Sequence, residues 1–545
     1  MAIDQKIRIA EEPGHRYPDL RDHLANLEAK GLLVRVKREI NKDTELHPLV
    51  RWQFRGGLAE EQRRAFLFEN VVDVKGKRYA IPVAVGALAA SRQVYAVGMR
   101  CEVDEMEAIW NKALSNPIDP VIVDSGPVHE EVHLGPGLLE HGGLGEFPIP
   151  ISTPGWDAAP FTTCTHWFTK DIETGVRNQG NYRGHVKGPA KIGIYPMSGQ
   201  HVHMHIQKCR DRGVPLQAAL VIGVPPAVSY ATVTKVAYGV DELAIAGGLA
   251  GMPIRLVKCK TVDLEVPAEA ELVIEGLINT EYLEPEGPFG ESHGYMHPRM
   301  LNPFMEITAI THRKDMIYVS FISQVTPSES SVIKKIGYDT MFLKHLRDDL
   351  TLKSVKRVVM HEPLTNLRKF IVLQMKNPSR AEIWRALYAA ASFHPGVGKM
   401  VVAVDEDIDP ENVDAVLWAM SYRMKPHQDV QICQGMDKGH APPFRGISET
   451  DEKTSYHGSG EDSALLINAI LKEPFPPVSL PKKEYMDRAK EIWEELGLPK
   501  LTPQAPWYGY SLGQWDEELE EEARLALNGE HYKTGDKLAG RKVKA

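Results

Sequence analysis

One acidic stretch, rich in glycine and proline, reads Glu281-Tyr-Leu-Glu-Pro-Glu-Gly-Pro-Phe-Gly-Glu-Ser-His-Gly-Tyr295. It places Glu286 and Glu291 five residues apart, with two glycines and a proline between them. Because proline fixes φ and glycine adopts angles that other residues avoid, we expect no regular helix or central strand here. The stretch predicts a rigid, bent loop that presents two carboxylates and the His293 imidazole, a setting typical of proton transfer. The alternative is a surface loop with solvated glutamates.

Composition limits the class of protein. The chain has 545 residues, 43% of them hydrophobic and 25% charged, with a net charge of -9. These values are typical of a folded protein of about three domains, and they argue against a chain-wide nucleic-acid surface. The apolar runs are too short to span a bilayer, and the N-terminus lacks a signal-peptide core. Five scattered cysteines without a C-x-x-C pair favour a reducing cytoplasm over a disulfide or zinc-thiolate framework.

The pattern of apolar residues divides the chain into three parts. Residues 1–125 alternate helix and strand, as in the helical spacing of Leu20, Leu24 and Leu27 before Gly31. Residues 126–325 contain short β-type runs split by glycine and proline, which predict a barrel or a sandwich. Within this part, residues 305–311 and 316–322 are expected to pair as a hairpin. Residues 326–545 again alternate strands and helices and end in a helical tail.

Two charged features stand out in the last part. An apolar run ends in Asp405-Glu-Asp407, which either begins a helix or binds a divalent cation. The helix start is favoured, with Asp409 as N-cap and Pro410 in the first position. The tail contains an acidic helix near residues 515–527 and a basic end at 533–545, which either contact a neighbouring subunit or remain solvated.

Polar side chains are concentrated in the middle part. Asn178 and Asn181 offer amide oxygens, and Arg183 is a fork-shaped donor suited to a carboxylate or a phosphate. No dinucleotide-binding glycine motif or P-loop is present in the sequence, so if a flavin or a nucleotide binds here, its phosphate is held by a metal and by Arg or Lys.

A possible cation site follows in the sequence. His201, His203 and His205 would share one face of a strand, whereas a helix would align only the first and last of them. Either arrangement is compatible with a cation site, and the alternative is a polar face of neutral, hydrogen-bonded histidines. Glu242, next to Asp241, either caps a helix or completes the metal shell. A set of Asn, His and Glu suits Mn²⁺ or Mg²⁺ with a bound phosphate better than zinc.

With these motifs in place, the chain resembles the UbiD family of prenylated-flavin (de)carboxylases over nearly its whole length. The resembling segments are Asp19-Leu-Arg-Asp-His-Leu, Phe66-Leu-Phe-Glu-Asn-Val, Thr169 to Arg183 with its N-x-G-x-Y-R signature, Gln200-His201, Glu286-Gly-Pro-Phe-Gly-Glu291 and Val404-Asp-Glu-Asp-Ile-Asp-Pro. The resemblance implies an α/β multidomain fold with an N-terminal α/β domain, a central split β-barrel like that of flavin reductases, and a C-terminal α/β oligomerisation domain.

The resemblance also implies the cofactors and the site. The residues expected to bind prenylated FMN (prFMN) are Asn178, Gln179, Gly180, Asn181, Tyr182, Arg183, Gln200, His201 and Glu242. Asn178, His201 and Glu242 would bind Mn²⁺, which holds the flavin phosphate, and K⁺ would lie beside it near Thr232 and Thr234. Arg183, Glu286 and Glu291 would form the catalytic network, with Glu291 as proton donor and acceptor. A family lysine near the end of the C-terminal domain has no counterpart in the segment 457–464.

The implied activity is the reversible, non-oxidative decarboxylation of an aromatic or α,β-unsaturated carboxylic acid. The substrate is then a small aromatic acid, CO₂ is released, a flavin prenyltransferase supplies the cofactor, and the chain forms a homo-oligomer, either a dimer or a hexamer. The alternatives are an aromatic carboxylase or a decarboxylase of an aromatic acyl-CoA of the phthaloyl-CoA type, with basic residues in 50–56 and 353–369 holding the CoA phosphates. A non-catalytic subunit and a metal-dependent hydrolase without flavin absorbance are further alternatives.

Overall fold

The computed structural model describes residues 18–436, 462–503 and 513–543, apart from Ser198, Lys235, Ala237, Pro298, Gln324 and Pro395. Most of the segment 457–464, where the family lysine lacks a counterpart, therefore lies outside the described residues.

The N-terminal elements are α1 (Leu20–Ala29), β1 (Leu33–Val36), β2 (Ile40–Asn41), α2 (Leu46–Arg55), β3 (Ala65–Phe68), β4 (Val71–Val72), β5 (Arg78–Tyr79), β6 (Val83–Val85), α3 (Arg92–Met99) and α4 (Met106–Ser115). The central strands begin with β7 (Val121–Ile122), β8 (Glu131–Leu134), β9 (Phe161–Thr162), β10 (His166–Lys170), β11 (Arg177–Gly180), β12 (Gly184–Gly188) and β13 (Lys191–Ile194). They are followed by α5 (His201–Asp211), β14 (Leu216–Ile222), α6 (Pro226–Thr232), α7 (Glu242–Ala250), β15 (Arg255–Lys258), β16 (Glu265–Pro267) and β17 (Leu272–Ile278).

The loop region and the end of the central part contain β18 (Glu284–Glu286), β19 (Phe289–Gly290), β20 (Met296–His297), β21 (Met300–Asn302), β22 (Phe304–His312) and β23 (Tyr318–Ser320). The C-terminal elements are α8 (Glu329–Lys344), β24 (Val355–Met360), β25 (Phe370–Met375), α9 (Arg380–Ser392), β26 (Met400–Asp405), α10 (Val413–Arg423), α11 (Pro426–Asp429), β27 (Val430–Cys433), β28 (Ala464–Ala469), α12 (Lys483–Glu495), α13 (Glu517–Leu527) and α14 (His531–Ala539).

The first helix forms where its apolar spacing predicts it. The Asp19 carboxylate accepts hydrogen bonds from the backbone N–H groups of Arg21 and Asp22, and the Asp22 carboxylate accepts one from the backbone N–H of Asp19. This reciprocal capping satisfies donors that a helix N-terminus otherwise leaves unpaired. Leu20, Leu24 and Leu27 are buried. The expected helix is thus confirmed.

The central part is organised around one curled, largely antiparallel sheet with the strand order β11-β10-β14-β17-β22-β13-β12-β9, in which β8 also pairs with β22. The sheet forms a half-barrel, and α5 packs against β10, β11 and β14. This arrangement confirms the α/β multidomain prediction with a barrel-like centre. It also places the carboxyl end of β11 next to the beginnings of α5 and α7, where the metal-ligand candidates lie.

The expected hairpin of residues 305–311 and 316–322 is wrong. The strand β22 pairs with β17, β13 and β8, whereas β23 pairs in parallel with β6, with Tyr318 opposite Val83. The reason is burial on both faces, because Tyr318, Val319 and Ser320 of β23 are all buried, which a solvent-facing hairpin strand would not allow. The chain thus returns to the N-terminal sheet of β1, β3 and β6, and the two parts share one hydrophobic core.

The C-terminal sheet has the order β24-β25-β26-β28-β27, with parallel central pairs and antiparallel edges. Asp409 is not the N-cap predicted for the following helix, because α10 begins at Val413 and the Asn412 side chain accepts a hydrogen bond from Ala415 N at 3.0 Å. Arg423 of α10 binds Asp405 at 2.8 Å and Asp407 at 2.6 Å. A guanidinium therefore neutralises the acidic cluster.

The opposite charges of the tail meet within the chain. The Glu518 carboxylate on α13 pairs with Lys537 of α14 and with Arg541 just beyond it. These contacts lower the pKa of Glu518 to about 2, chiefly through its hydrogen bond to Arg541. None of the described helices combines the length and the apolar character that a membrane crossing needs.

Candidate active site

Two adjoining cavities lie between the half-barrel and the start of the C-terminal part. The smaller, of about 120 Å³, is bounded by Arg183, Tyr195, Phe289 and Glu291. The larger, of about 440 Å³, is lined by the three metal-ligand candidates of the sequence, Asn178, His201 and Glu242, and by Gln179 and Gly180. The residues that line both cavities are Asn181, Tyr182, Gln200, Val233, Lys334 and Arg368. The expected cofactor residues thus converge on one continuous region.

The Gly- and Pro-rich stretch is bent as expected, but short strands flank its bend. Glu286 ends β18, which pairs with β21, and Phe289 begins β19, which pairs with β20. Gly287 between them has φ +92°, a conformation that favours glycine. His293 accepts a hydrogen bond from Tyr295 N at 3.2 Å and so supports the following turn. The bend turns both glutamates toward Arg183.

Arg183 and Glu286 form a two-pronged ion pair. The Arg183 Nε donates to Glu286 Oε1 at 2.8 Å, and Nη2 donates to Oε2 at 2.7 Å. Glu286 is fully buried, and Asn302 Nδ2 also donates to its Oε2 at 3.3 Å. Arg183 Nη1 donates in addition to Oε1 of Glu291, whose side chain is 17% exposed. One carboxylate is therefore sealed behind the arginine, and the other faces the cavity.

The surroundings keep the guanidinium charged. Its carbon lies 4.4 Å from the ring centre of Tyr195 and 5.0 Å from that of Phe289. Burial lowers the pKa of Arg183, but the negative charges of Glu286 and Glu291 outweigh this and hold the pKa above its usual value. The described contacts use three of the five N–H donors that an arginine carries, so two remain for an anionic ligand.

A third carboxyl group lies beside the same loop and was missed by sequence reasoning. Burial raises the pKa of Asp157 to about 6, and hydrogen bonds from the backbone of Thr153 and Gly290 offset this only in part. The Thr153 N–H donates to Asp157 Oδ2 at 2.6 Å. Asp157 thus connects the loop that contains Gly290 to the segment after Pro150. No local motif marks it, because its role depends on a contact with Gly290 far along the chain.

The histidine-rich segment is a helix, and its histidines have different roles. His201 is the first residue of α5 and lines the larger cavity. His205, one turn on, is fully buried and its Nδ1 lies 2.9 Å from Thr169 Oγ1. Burial lowers the pKa of His205 to about 4, so it is a neutral, structural histidine at physiological pH.

The two acidic residues at the start of α7 also have different roles. Asp241 is the N-cap, with its Oδ1 accepting from Leu243 N at 2.9 Å. Glu242 is buried, lines the larger cavity and accepts from Gln179 N at 3.4 Å. The Oε1 atom of Gln179 is buried without a partner among the described residues. An amide, an imidazole and a carboxylate beside this orphaned oxygen are donors of the type that Mn²⁺ accepts.

Two threonines stand near these ligands. Thr232 donates to Val228 O at 2.7 Å, and Thr234 donates to Tyr230 O at 3.1 Å. Both line the larger cavity. Thr232 Oγ1 also accepts a hydrogen bond from Gln179 Nε2, and each hydroxyl oxygen keeps a lone pair that can bind a cation such as K⁺.

Two cationic side chains of the C-terminal part line both cavities, and sequence reasoning did not identify them as site residues. Lys334 comes from α8, and Arg368 from the segment between β24 and β25. Before Arg368, the non-glycine residues Leu364, Asn366 and Leu367 have φ values of +59°, +53° and +61°. Such left-handed backbone is costly and is concentrated at functional sites. The sequence predicts only a role in binding CoA phosphates for the basic residues of segment 353–369, whereas Arg368 lines both cavities.

The other basic segment proposed for CoA has a different role. Arg51 donates to Ser152 O at 3.4 Å, and Arg55 donates to Val325 O and Pro327 O at 3.2 Å each. Both arginines of α2 therefore bind backbone carbonyls of neighbouring segments and lie outside the two cavities.

Comparison with known proteins agrees with this geometry. Three family models match: the 3-octaprenyl-4-hydroxybenzoate carboxy-lyase N-terminal domain at residues 24–111, the Rift-related UbiD domain at 121–325 and the C-terminal domain at 335–449. An uncharacterized protein of Aquifex aeolicus is 30% identical over 521 residues, covering 89% of this chain and all of the relative.

Solved structures extend the similarity to the whole fold. The UbiD-class enzyme HmfF from Pelotomaculum thermopropionicum, in complex with prFMN, matches with a TM-score of 0.73 and 32% identity over 87% of this chain and 99% of that one. Vanillic acid decarboxylase from Sedimentibacter hydroxybenzoicus matches with a TM-score of 0.74 and 25% identity over 89% and 100% of the two chains. With the three domain models in order along its length, this chain belongs to the UbiD family and is a carboxy-lyase of the decarboxylase class.

Proposed function

We propose that this chain catalyses the reversible, non-oxidative decarboxylation of an aromatic or α,β-unsaturated carboxylic acid with prFMN as cofactor. The observation that carries the proposal is Arg183, held at the cavity wall between the sealed Glu286 and the partly exposed Glu291. The same three groups serve carboxylation when CO₂ is abundant, because the two directions share one transition state.

The larger cavity is suited to the phosphate end of the flavin. Asn178, His201 and Glu242 would hold Mn²⁺ there, and Thr232 and Thr234 offer oxygens for K⁺. Lys334 and Arg368 would add positive charge next to the phosphate. When bound, prFMN supplies the electron sink for the charge that departing CO₂ leaves on carbon. Its presence in the HmfF structure supports this assignment.

The smaller cavity is suited to the carboxylate end of the substrate. The two N–H donors of Arg183 that the described contacts leave unused would hold the substrate carboxylate. Tyr195 and Phe289 cover the guanidinium with their rings and exclude water from it. In such a low-dielectric site, an ion pair orients its partner more strongly than in water. Arg183 therefore binds and orients the substrate, and neutral CO₂ leaves because the guanidinium no longer attracts it.

Glu291 is the group that moves the proton. Its carboxylate faces the cavity, whereas Glu286 is sealed behind Arg183 and is held by Asn302. Glu291 would protonate the carbon after CO₂ departs and remove that proton in the carboxylation direction. Glu286 would act through Arg183 by fixing its plane and compensating its charge.

The size of the smaller cavity supports the proposed substrate class. A volume of about 120 Å³ suits a single-ring acid, and the related vanillic acid decarboxylase supports a free aromatic acid. The acyl-CoA alternative is less well supported, because Arg51 and Arg55 are bound to backbone carbonyls.

We also propose a homo-oligomer. Leu417 and Tyr422 on α10 and Ile432 on the edge strand β27 are at least half exposed, which supports an interface on the C-terminal part. Light scattering of the purified chain tests this, and a monomer at micromolar concentration would contradict it.

The activity is tested by co-expression with a flavin prenyltransferase and a screen for CO₂ release. The panel contains hydroxylated benzoates, cinnamate-type acids and the matching aromatic acyl-CoA thioesters. We expect turnover of a free acid only with protein that carries the flavin chromophore. Turnover of thioesters alone would overturn the substrate class, and hydrolysis without flavin absorbance would overturn the reaction class.

A further inference from the structure

A second cluster of metal-binding side chains lies at the far end of β22. His133 of β8, His312 at the end of β22 and Glu146 of the short 3₁₀ turn Gly143–Glu146 have their ligand atoms within 4.8 Å of one another. The proposed chemistry does not use these residues. The cluster is the only such group of His, Cys, Asp and Glu side chains in the described part of the chain.

The cluster is far from the candidate active site. Phe304, at the other end of β22, pairs with Gly193 of β13, next to Glu286. From Phe304 to His312 the strand advances eight residues, or about 27 Å at the usual rise per residue. A cation bound by His312 would therefore not contact Arg183 or the substrate.

The pairing of β8 with β22 brings the two imidazoles together. Ile310 is opposite His133 and His312 is opposite Glu131 in the antiparallel register. His133 and His312 are therefore diagonal neighbours on the same face of the sheet. Their Nε2 atoms are 3.1 Å apart, and the rings are nearly parallel, with centres 5.2 Å apart.

The hydrogen bond of His312 to the backbone selects the tautomer whose Nε2 lone pair is directed into the cluster. Its Nδ1 lies 2.8 Å from the Arg313 carbonyl oxygen, which accepts a hydrogen bond but cannot donate one. In the neutral ring the proton is thus on Nδ1, and Nε2 is an acceptor. Imidazoles that bind metals are held in this way, by donating the other N–H to a carbonyl or a carboxylate. Phe147 packs its ring edge against His312 and restricts its rotation.

The distances suit a tetrahedral ion. Two nitrogens bound to Zn²⁺ at its usual bond length lie about 3.3 Å apart, close to the observed 3.1 Å. Glu146 Oε1 is 3.9 Å from His312 Nε2, and its side chain is 24% exposed and able to approach. The ring of His141 packs edge to face with that of His133, with the ring centres 5.0 Å apart, and supports its orientation.

We propose that His133, Glu146 and His312 bind a borderline divalent ion of the Zn²⁺ class, which cross-links β8 and the 3₁₀ turn to the end of β22. Imidazole with one carboxylate is the ligand set that zinc uses in proteins, whereas the oxygen-rich set at Asn178 favours harder ions. Because the cluster lies away from the candidate active site, the ion has a structural role: it holds β8 and the 3₁₀ turn against the end of β22.

The test is zinc binding by the full-length, chelator-treated chain. Bound metal is counted by equilibrium dialysis with elemental analysis, and Co²⁺ reports the ligand geometry through its visible absorption. We expect His133→Gln and Glu146→Gln to weaken zinc affinity by about 100-fold and to abolish the zinc-dependent rise in the thermal unfolding midpoint. Glu146 is partly exposed, so this variant is expected to fold even if a histidine variant does not.

Two controls separate this site from the others. His427→Asn removes an exposed histidine of α11 and should leave zinc binding unchanged. Glu242→Gln removes a ligand of the larger cavity and should also keep the zinc equivalent that His133→Gln loses. Zinc binding that is unaffected by His133→Gln and Glu146→Gln, or that disappears only in Glu242→Gln, would overturn the proposal.

Discussion

Arg183 and Glu286 are joined by two parallel hydrogen bonds of 2.8 and 2.7 Å, with the glutamate fully sealed from solvent. This pair fixes the plane of the guanidinium and so fixes where its remaining donors point. The geometry makes Glu286 a positioning residue, because it reaches the cavity only through Arg183.

Glu286→Gln should therefore reduce both stability and turnover. The amide keeps the size of the side chain but leaves the buried guanidinium with one carboxylate fewer. Because breaking a buried ion pair is strongly destabilising, we expect the free energy of unfolding to fall by about 3 kcal/mol. We expect kcat to fall about 100-fold, with the KM of the substrate less affected. Urea unfolding and steady-state kinetics measure the two effects. Unchanged stability together with unchanged kcat would contradict the positioning role.

Arg368→Gln should weaken retention of the flavin. The side chain lines both cavities, and removal of its charge takes away a partner for the flavin phosphate. We expect the ratio of flavin to protein after gel filtration to fall, with affinity for FMN reduced about tenfold. Arg347→Gln, on the same part of the chain but outside the cavities, serves as the control. Equal flavin retention in both variants would contradict the assignment of Arg368 to the cofactor site.

Part of the candidate site is accessible to sequence reasoning, because Asn178, Arg183, Glu286 and Glu291 lie in short, glycine-containing motifs. The fold brings Arg183, Glu286 and Glu291 into contact and places Asn178 in the adjoining larger cavity. Arg368 is different, because it enters the site from the C-terminal part, and only the packing of α8 and the β24–β25 segment brings it there.

The incorrect predictions have related causes. The apolar run of residues 316–322 indicates a strand, but it does not say that the partner is β6 in another sheet. Likewise, an acidic cluster before a helix suggests an N-cap, whereas the real cap is Asn412 and the acids bind Arg423. Strand partners and ion pairs depend on tertiary contacts between segments far apart in sequence.

His166 should contribute to acid unfolding. Its Nδ1 lies 3.1 Å from Val221 O and its Nε2 lies 3.0 Å from Ser229 Oγ, and burial lowers its pKa from 6.5 to about 4. Below pH 6.5 the unfolded chain binds a proton that the folded chain excludes, so the free energy of unfolding falls as pH decreases toward 4. The linked free energy is about 3 kcal/mol.

His166→Asn retains a donor for Val221 O but removes this titration. We expect the variant to be less stable than the wild type at pH 7, and the difference to shrink as pH falls from 6.5 to 4.5. Urea unfolding at several pH values measures it, with His427→Asn as an exposed control. A constant difference across this range would contradict the buried, neutral state of His166.

Arg423→Ala should destabilise the C-terminal sheet. Asp405 and Asp407 share this one guanidinium, so its removal leaves two neighbouring carboxylates without their cation. We expect a loss of about 3 kcal/mol in urea unfolding, whereas Arg488→Gln on the exposed face of α12 should change little. Wild-type stability in Arg423→Ala would show that the acidic cluster has another counter-charge.

The most direct test of the mechanism is Glu291→Gln in the flavin-loaded enzyme, compared with Glu281→Gln, an exposed glutamate of the same segment. Flavin absorbance, CO₂ release and exchange of solvent deuterium into the product are measured on the same preparations. We expect Glu291→Gln to retain the flavin at the wild-type level and to lose CO₂ release and deuterium exchange by at least about 100-fold, while Glu281→Gln behaves as the wild type. Deuterium exchange in Glu291→Gln near the wild-type rate, with the flavin bound, would contradict the assignment of Glu291 as the proton donor.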